Sequence, residues 1–251
     1  MSILGLARLA VNRRLSPLGV EIVRKSGHDW SDTRTFLPFQ ATIAAAERSG
    51  LSVGDYIDEI MNNTPGATQA TIDGMKRLGV FTEQLRNVVE IGPGSGRYLD
   101  KTMAACSPTR YEVYETAGPW ASYIQTKYSV LLQPTDGRTL SATPDNSVDL
   151  VHAHKVFSGI PSLPTFTYWT EMARVCRIGA HAVFDILTEA CLDLDTFKKW
   201  VDSSIENGAY PAAMPRITPI QYFESCQFDL IGTFFIPLSP GKTEVFVFRK
   251  R

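Results

Sequence analysis

The sequence predicts a doubly wound α/β sheet of seven strands, mostly parallel and closing on a reversed hairpin, with a helical extension ahead of it. Three observations predict it. From residue 86 onward strand-like and helix-like runs alternate, the rhythm of parallel strands joined by crossover helices. Several strand runs are apolar almost throughout, as in Val148-Asp149-Leu150-Val151 and Ala182-Val183-Phe184, which is the composition of strands covered on both faces. The last two strand runs are joined only by Leu238-Ser239-Pro240-Gly241-Lys242, too short for a crossover, so they should pair antiparallel.

The totals narrow the class of protein. A chain of 251 residues, 44% hydrophobic and 20% charged, has the composition of a soluble globular protein. With 25 basic against 26 acidic side chains there is no global electrostatic case for a nucleic-acid partner. Cys106, Cys176, Cys191 and Cys226 lack CxxC spacing, so neither a zinc site nor a disulfide framework is expected, and a reducing cytoplasm fits. No apolar run reaches the roughly 18 residues of a membrane span. The N-terminal apolar run is broken by Arg8 with its main charges after it, the wrong order for a signal peptide.

Residues 1–80 read as a helical lid or extension and 81–251 as the sheet domain. Within the first 25 residues, Ile3, Leu4, Leu6 and Leu9 alternate with Arg8, Arg13 and Arg14, a basic amphipathic pattern that suits either packing on the domain or peripheral contact with an anionic membrane. Helices follow at about 36–50, 52–61, where Ser52 supplies a cap, and 67–78. Strands are expected at 87–91, 110–115, 129–133, 147–152, 180–186, 228–235 and 243–249. Helices between them are expected near 96–105, 118–127, 165–177, 193–205 and 218–225.

The centre of this arrangement is Val88-Val89-Glu90-Ile91-Gly92-Pro93-Gly94-Ser95-Gly96, a strand running into three glycines at alternate positions and then a helix. Glycines let backbone turn through positive φ and approach a ligand without a Cβ. The dinucleotide fingerprint places a third glycine where this chain has Arg97, and no Gly-Lys-Ser/Thr follows for a phosphate loop. Glu90, just before the turn, suits a cationic ligand better than a phosphate. Glu115 ends the second strand 19 positions beyond Gly96, close to the spacing of a carboxylate that accepts ribose hydroxyls. Asp136-Gly137, after the third strand, can offer a carboxylate and an N–H to an adenine edge. Together these acids suit a positively charged nucleoside without phosphate, and S-adenosylmethionine (SAM) is such a ligand.

VVEIGPGSGRY, the acid of YEVYE, the DG of PTDGRTL, NSVDLVHAH and EMARVCRIGAHAVFDI resemble the successive motifs of class I SAM-dependent methyltransferases over about residues 80–250. AHKVF, FDILTEACLD and TEVFVFRK are similar to bacterial sugar and polysaccharide O-methyltransferases, including those of methylmannose polysaccharides. The resemblance implies that Gly92, Gly94, Ser95 and Gly96 line the cofactor and that Glu90 sits near its methionine ammonium. It further implies that Glu115 holds the ribose, Asp136 and Gly137 meet the adenine, and the chain at His152 runs beneath the sulfonium. One departure bears on the acceptor. Amino-directed members commonly place an Asn/Asp-Pro-Pro-aromatic motif after the fourth strand, and this chain has His152-Ala153-His154-Lys155, which argues against adenine or glutamine nitrogen as the acceptor.

A hydroxyl acceptor must lose a proton, and a histidine is suited to take it. His154 is the first choice and His152 the second, with a structural role for either as the plain alternative. Asp185 and Glu189, after the fifth strand, can orient substrate hydroxyls. With His154 they could instead hold Mg²⁺, the less favoured reading, and Asp193 reads as a helix cap. In the lid, His28, Trp30, Tyr56, Thr68 and Gln69 are candidate contacts; Trp120, Tyr123, Trp169 and Tyr210 are candidate platforms for a sugar ring. The expected function is methyl transfer from SAM to a hydroxyl of a sugar or polysaccharide precursor. Lipid, quinone or other small-metabolite methylation and an inactive SAM-binding module are the alternatives, and a homodimer is left open.

Overall fold

The apolar run ahead of the glycines forms β1 (Asn87–Ile91), buried from Val88 onward, at the centre of the sheet. This computed structural model describes residues 37–207 and 211–251; residues 1–25, His28, Trp30 and Tyr210 therefore lie outside what it describes. The further strands are β2 (Arg110–Tyr114), β3 (Leu131–Leu132), β4 (Val148–Ala153), β5 (Cys176–Ile186), β6 (Phe228–Leu238) and β7 (Gly241–Lys250). Their order across the sheet is β3-β2-β1-β4-β5-β7-β6. The first five strands are parallel, and β7 pairs antiparallel with both β5 and β6. Because the chain winds outward one way through β2 and β3 and the other way from β4, the order reverses between β1 and β4. Ligands of such sheets bind outside the carboxyl ends of the strands at that switch point.

Ahead of the sheet come α1 (Phe39–Ser49), stopped by Gly50 at φ 65°, and α2 (Val53–Tyr56), which runs on as one π turn over Ile57–Met61. Ser52 caps α2 by accepting the Asp55 N–H at 3.1 Å. Next is α3 (Ala67–Arg77). The crossovers are α4 (Arg97–Cys106), α5 (Gly118–Lys127), α6 (Ser162–Val175), α7 (Leu194–Asn207) and α8 (Ile217–Ser225). Several elements differ from the expected bounds, among them β5, which starts at Cys176, and β6, which runs to Leu238. Helix α6 begins at Ser162 and hands over at Cys176, already extended at φ −62° and ψ 129°; Pro164 falls in its first turn, where a missing N–H costs nothing. The third strand keeps only two residues, Leu131 and Leu132, at one edge of the sheet.

Strand alternation divides the core. On one face Val88, Val113, Leu150, Val183 and Val245 meet Ile72 and Met75 of α3, Leu99 of α4 and Ile124 of α5. On the other, Val89, Ile91, Val151, Phe184 and Phe248 meet Trp169 and Met172 of α6 and Phe223 of α8. Thus α3 belongs to the helical layer over the sheet, while α1 and α2 pack on α5 through Ala46, Val53, Ile57 and Trp120. The Trp120 indole N–H donates to the Leu37 carbonyl at 2.9 Å. Trp120 and Trp169 are core residues, 3% and 0% exposed, which corrects their candidacy as sugar platforms: each ring is already covered by its own chain. Among the described residues no helix is long and apolar enough to cross a membrane.

Candidate cofactor and acceptor site

The turn after β1 is held open by its own backbone. Gly92, Gly94 and Gly96 have φ of 62°, 52° and 78°, and the Gly92 N–H donates to the Tyr114 carbonyl at 2.8 Å, tying the turn to the end of β2. A methyl on Gly92 would lie 2.8 Å from Val156 Cγ2, whereas one on Gly94 would meet nothing within 4 Å. Gly94 is thus the open side of the turn. Glu115, one residue past β2 and 6% exposed, accepts the Gly94 N–H on Oε2 and the Ala117 N–H on Oε1, both at 2.7 Å. Burial raises its pKa while these N–H groups pull it back. Ser95 is buried within the turn.

Asp136 sits differently. It is exposed, and its carboxylate accepts the N–H groups of Arg138 and Thr139 and the Thr139 hydroxyl, at 2.9, 2.7 and 3.0 Å. Despite some burial these hydrogen bonds lower its pKa. Gly137, at φ 73°, donates its N–H to Thr135 Oγ1 at 3.1 Å. Asp136 therefore shapes its own turn, and any ligand contact uses lone pairs beyond those.

Under α4, the sheet carries a buried polar seam. Glu90 on β1 and His152 on β4 are lateral neighbours, and the Tyr111 hydroxyl lies between them, donating to Glu90 Oε2 at 2.6 Å and 2.9 Å from His152 Nε2. Burial pushes the Glu90 carboxyl up to about 8, with the nearby Glu115 adding to the rise. Burial also holds His152 well below the usual histidine range. Two residues on, His154 stacks on Tyr98 of α4, ring centroids 4.5 Å apart, and neither of its nitrogens has a partner. Burial, with the Lys155 and Arg97 cations nearby, lowers its pKa to about 3. The two histidine rings are 5.2 Å apart, and neither side chain is exposed.

Asp185 and Glu189 are not brought together. Asp185, fully buried on β5, accepts the Lys155 N–H at 2.7 Å and the Thr243 hydroxyl at 2.6 Å. Glu189 is exposed and accepts the Arg216 N–H at 2.8 Å. His154 Nδ1 is 4.0 Å from Asp185 Oδ1, and among the described residues no three His, Cys, Asp or Glu side chains converge as a metal would require. The Mg²⁺ alternative has no shared site here, because each acid is committed to a different backbone N–H. Asp193 caps α7, accepting the Thr196 N–H at 2.7 Å.

Three residues near this seam, Arg97, Asp58 and Lys155, have no role assigned by the sequence alone. Arg97 noted only as a missing glycine, opens α4 and donates to Asp58 Oδ1 at 2.5 Å. Asp58 comes from the π turn and also accepts the Thr68 N–H at 2.9 Å. Lys155 sits at φ 61°, a costly conformation for a side-chain-bearing residue. Its ammonium donates to the Pro237 carbonyl and Thr243 Oγ1 at 2.8 and 2.9 Å, and burial lowers its pKa to about 8. Asp58 carries no local signal of its role, and only the fold reveals its partner 39 positions away. His154-Lys155 directly after a predicted strand was the available signal for Lys155.

No protein-family model and no curated protein matches the sequence. Solved structures do. Magnesium protoporphyrin IX methyltransferase from Synechocystis PCC 6803, with bound SAH, is similar at a TM-score of 0.57 and 10% identity, over 98% of this chain and 99% of its own. An S-adenosylmethionine dependent methyltransferase from Mesorhizobium loti gives 0.57 and 11%, over 72% and 98%. A SAM dependent methyltransferase from Aquifex aeolicus gives 0.54 and 13%, over 85% and 100%. The chain has the class I SAM-dependent methyltransferase fold. In that fold the glycine turn, Glu115 and the Asp136 turn stand at the carboxyl ends of β1, β2 and β3, on the rim of the switch point.

Proposed function

We propose that the protein is a SAM-dependent methyltransferase acting on a hydroxyl of a small molecule, with a sugar or polysaccharide precursor as the acceptor class that the sequence resemblance favours. The observation that carries the cofactor reading is Glu115, a buried carboxylate turned onto the Gly94 N–H. An acid at this point repels phosphate and suits a pair of ribose hydroxyls, and the empty space over Gly94 leaves room for a ligand against backbone. In this reading Gly92 to Gly96 face the methionine part, Glu115 the ribose, and Asp136 and Gly137 the adenine. Glu90 supplies a negative charge toward the cationic end. SAM supplies a methyl group on a sulfonium, and its transfer is an in-line displacement in which positioning the nucleophile provides much of the acceleration.

His154 is the group proposed to take the acceptor proton. Its unpartnered nitrogens and its neutrality fit that role, and the Tyr98 ring over it must move to admit an acceptor. His152, hydrogen-bonded to Tyr111, is better suited to hold Glu90 and Tyr111 in place. Calorimetric titration with SAM, followed by tritium transfer from labelled SAM to a panel of sugars, lipids and phenols, tests the proposal. Binding with transfer to sugars is expected. Absence of SAM binding by the folded protein removes it, and transfer to lipids or phenols alone replaces the acceptor class.

A further inference from the structure

Helix α7 turns its apolar stripe away from the core. Leu194, Phe197 and Val201 recur at helical spacing, as on a face meant for burial, yet Leu194 is 72% exposed and Phe197 and Val201 are exposed as well. Contact with the sheet falls to another side. A Cβ on Gly241, the first residue of β7, would lie 2.6 Å from Thr196 Cγ2 and 3.0 Å from Trp200 Nε1, so α7 is held close to the β6–β7 hairpin through these two residues. At about 100° per residue, the apolar stripe lies between that side and a third one carrying Asp195, Lys198, Lys199 and Asp202.

The same end of the molecule carries further apolar side chains in solvent. Leu163, 79% exposed, stands in the first turn of α6, whose other end hands over to the start of β5. Ile217 opens α8 beside Arg216, whose Nε donates to Glu244, the β7 residue paired with Ile186 at the end of β5. Ile60 belongs to the π turn that Asp58 ties to the first residue of α4. Ile60 and Ile217 are each more than half exposed. These three elements and α7 therefore meet at the carboxyl ends of the strands, the rim on which the glycine turn and Glu115 stand. Apolar surface gathered at one end in this way marks an interaction face.

We infer that this face docks on a zwitterionic lipid surface, with Leu194, Phe197 and Val201 entering the acyl boundary and the charged side of α7 at headgroup level. The charge balance selects that occupant. With Asp193 engaged in the helix cap, residues 194–202 carry Asp195 and Asp202 against Lys198 and Lys199, which matches headgroups bearing both signs and gives no hold on an anionic surface. An amphipathic helix lying in the interface plane grips a bilayer without spanning it. A second copy of the chain fits less well. The centre of a protein interface, about 800 Å² per partner, is depleted of charge, whereas this stripe borders four charged side chains on its own helix. Docking sets the strand-end rim at the bilayer, where an acceptor is met at headgroup level. The docking itself is independent of the methyltransferase reading and requires no cofactor.

Flotation of the full chain with phosphatidylcholine vesicles, and with vesicles that also contain phosphatidylglycerol, tests this. Binding to phosphatidylcholine alone is expected. It should weaken about tenfold or more in the double variant Leu194→Gln, Phe197→Gln. It should be unchanged in Ile178→Gln, Ile231→Gln, whose exposed side chains stand toward the amino ends of the strands. Should the α7 variant fail to fold, Leu163→Gln, Ile217→Gln is read in its place with the same expectation. No binding of the wild type to phosphatidylcholine overturns the inference, as does binding that only phosphatidylglycerol supports or that the face variants leave intact. A wild-type dimer that the α7 variant converts to monomer in sedimentation velocity assigns the face to a second copy and overturns it too. SAM titration of the same samples without vesicles judges the methyltransferase reading separately.

Discussion

Glu90 is the residue whose ionisation should report on ligand binding. In the protein alone it is protonated up to about pH 8, because burial penalises its charge more than the Tyr111 hydroxyl stabilises it. A cationic ligand at the end of β1 reverses that balance. SAM binding at pH 7 should then release a proton and tighten as pH rises toward 8. Calorimetry in buffers of different ionisation enthalpy would reveal the release, and Glu90→Gln should abolish it. Glu115 should matter through contact rather than titration: Glu115→Ala is expected to weaken SAM by about tenfold or more. For His154, a pKa near 3 places its titration far from neutrality. Turnover should show no inflection near pH 6.5, and His154→Ala should lose turnover while keeping SAM affinity. Near-normal turnover in that variant would move the base elsewhere.

At the scale of elements, α3 is the piece that fixes the helical layer over β6. It approaches so closely that a Cβ on Gly74 would lie 2.5 Å from Phe234. Alanine is worth up to about 1 kcal/mol over glycine in a helix interior, yet overpacking of this kind costs about 1–3 kcal/mol. Gly74→Ala should therefore lower stability, by roughly 1 kcal/mol or more, in urea unfolding. An unchanged or raised midpoint would show that Phe234 swings aside freely. The π turn after α2 has a different part: it widens the helix where Asp58 turns in to Arg97. Such turns recur at functional positions, and this one brings Asp58 against the first residue of α4.

For the whole molecule, the buried seam together with His181 on β5 sets a pH profile of stability. His152, His154 and His181 all have lowered pKa values, the last two near 3 and 4. In each case the unfolded chain binds protons that the folded chain refuses, so stability falls as pH drops below about 6.5. Glu90 acts in the opposite sense. Its folded pKa is raised to about 8, so its contribution is full below about pH 4.5 and fades as pH climbs through 8. The two trends oppose one another between about 4.5 and 6.5, where three histidines outweigh the one carboxyl, so the melting temperature should rise through this window and peak near its upper end, at about pH 6.5. Scanning calorimetry across pH would locate the maximum, and Glu90→Gln should flatten the decline between about 6.5 and 8.

The strand-and-helix order, the reversed hairpin and the glycine turn were legible in the chain itself, because each is written in local signals: apolar runs, alternate glycines, a short link with proline. Glu115 at the glycine turn could likewise be read from spacing, since strand length and turn length fix where a strand-end acid arrives. Tertiary structure alone decided the rest. It turned Asp185 and Glu189 to separate backbone partners, sealed His152 and His154 beneath α4, and carried Asp58 to Arg97. Burial and long-range pairing set the charge state and the reach of each of these side chains, and neither quantity is a property of neighbours in sequence.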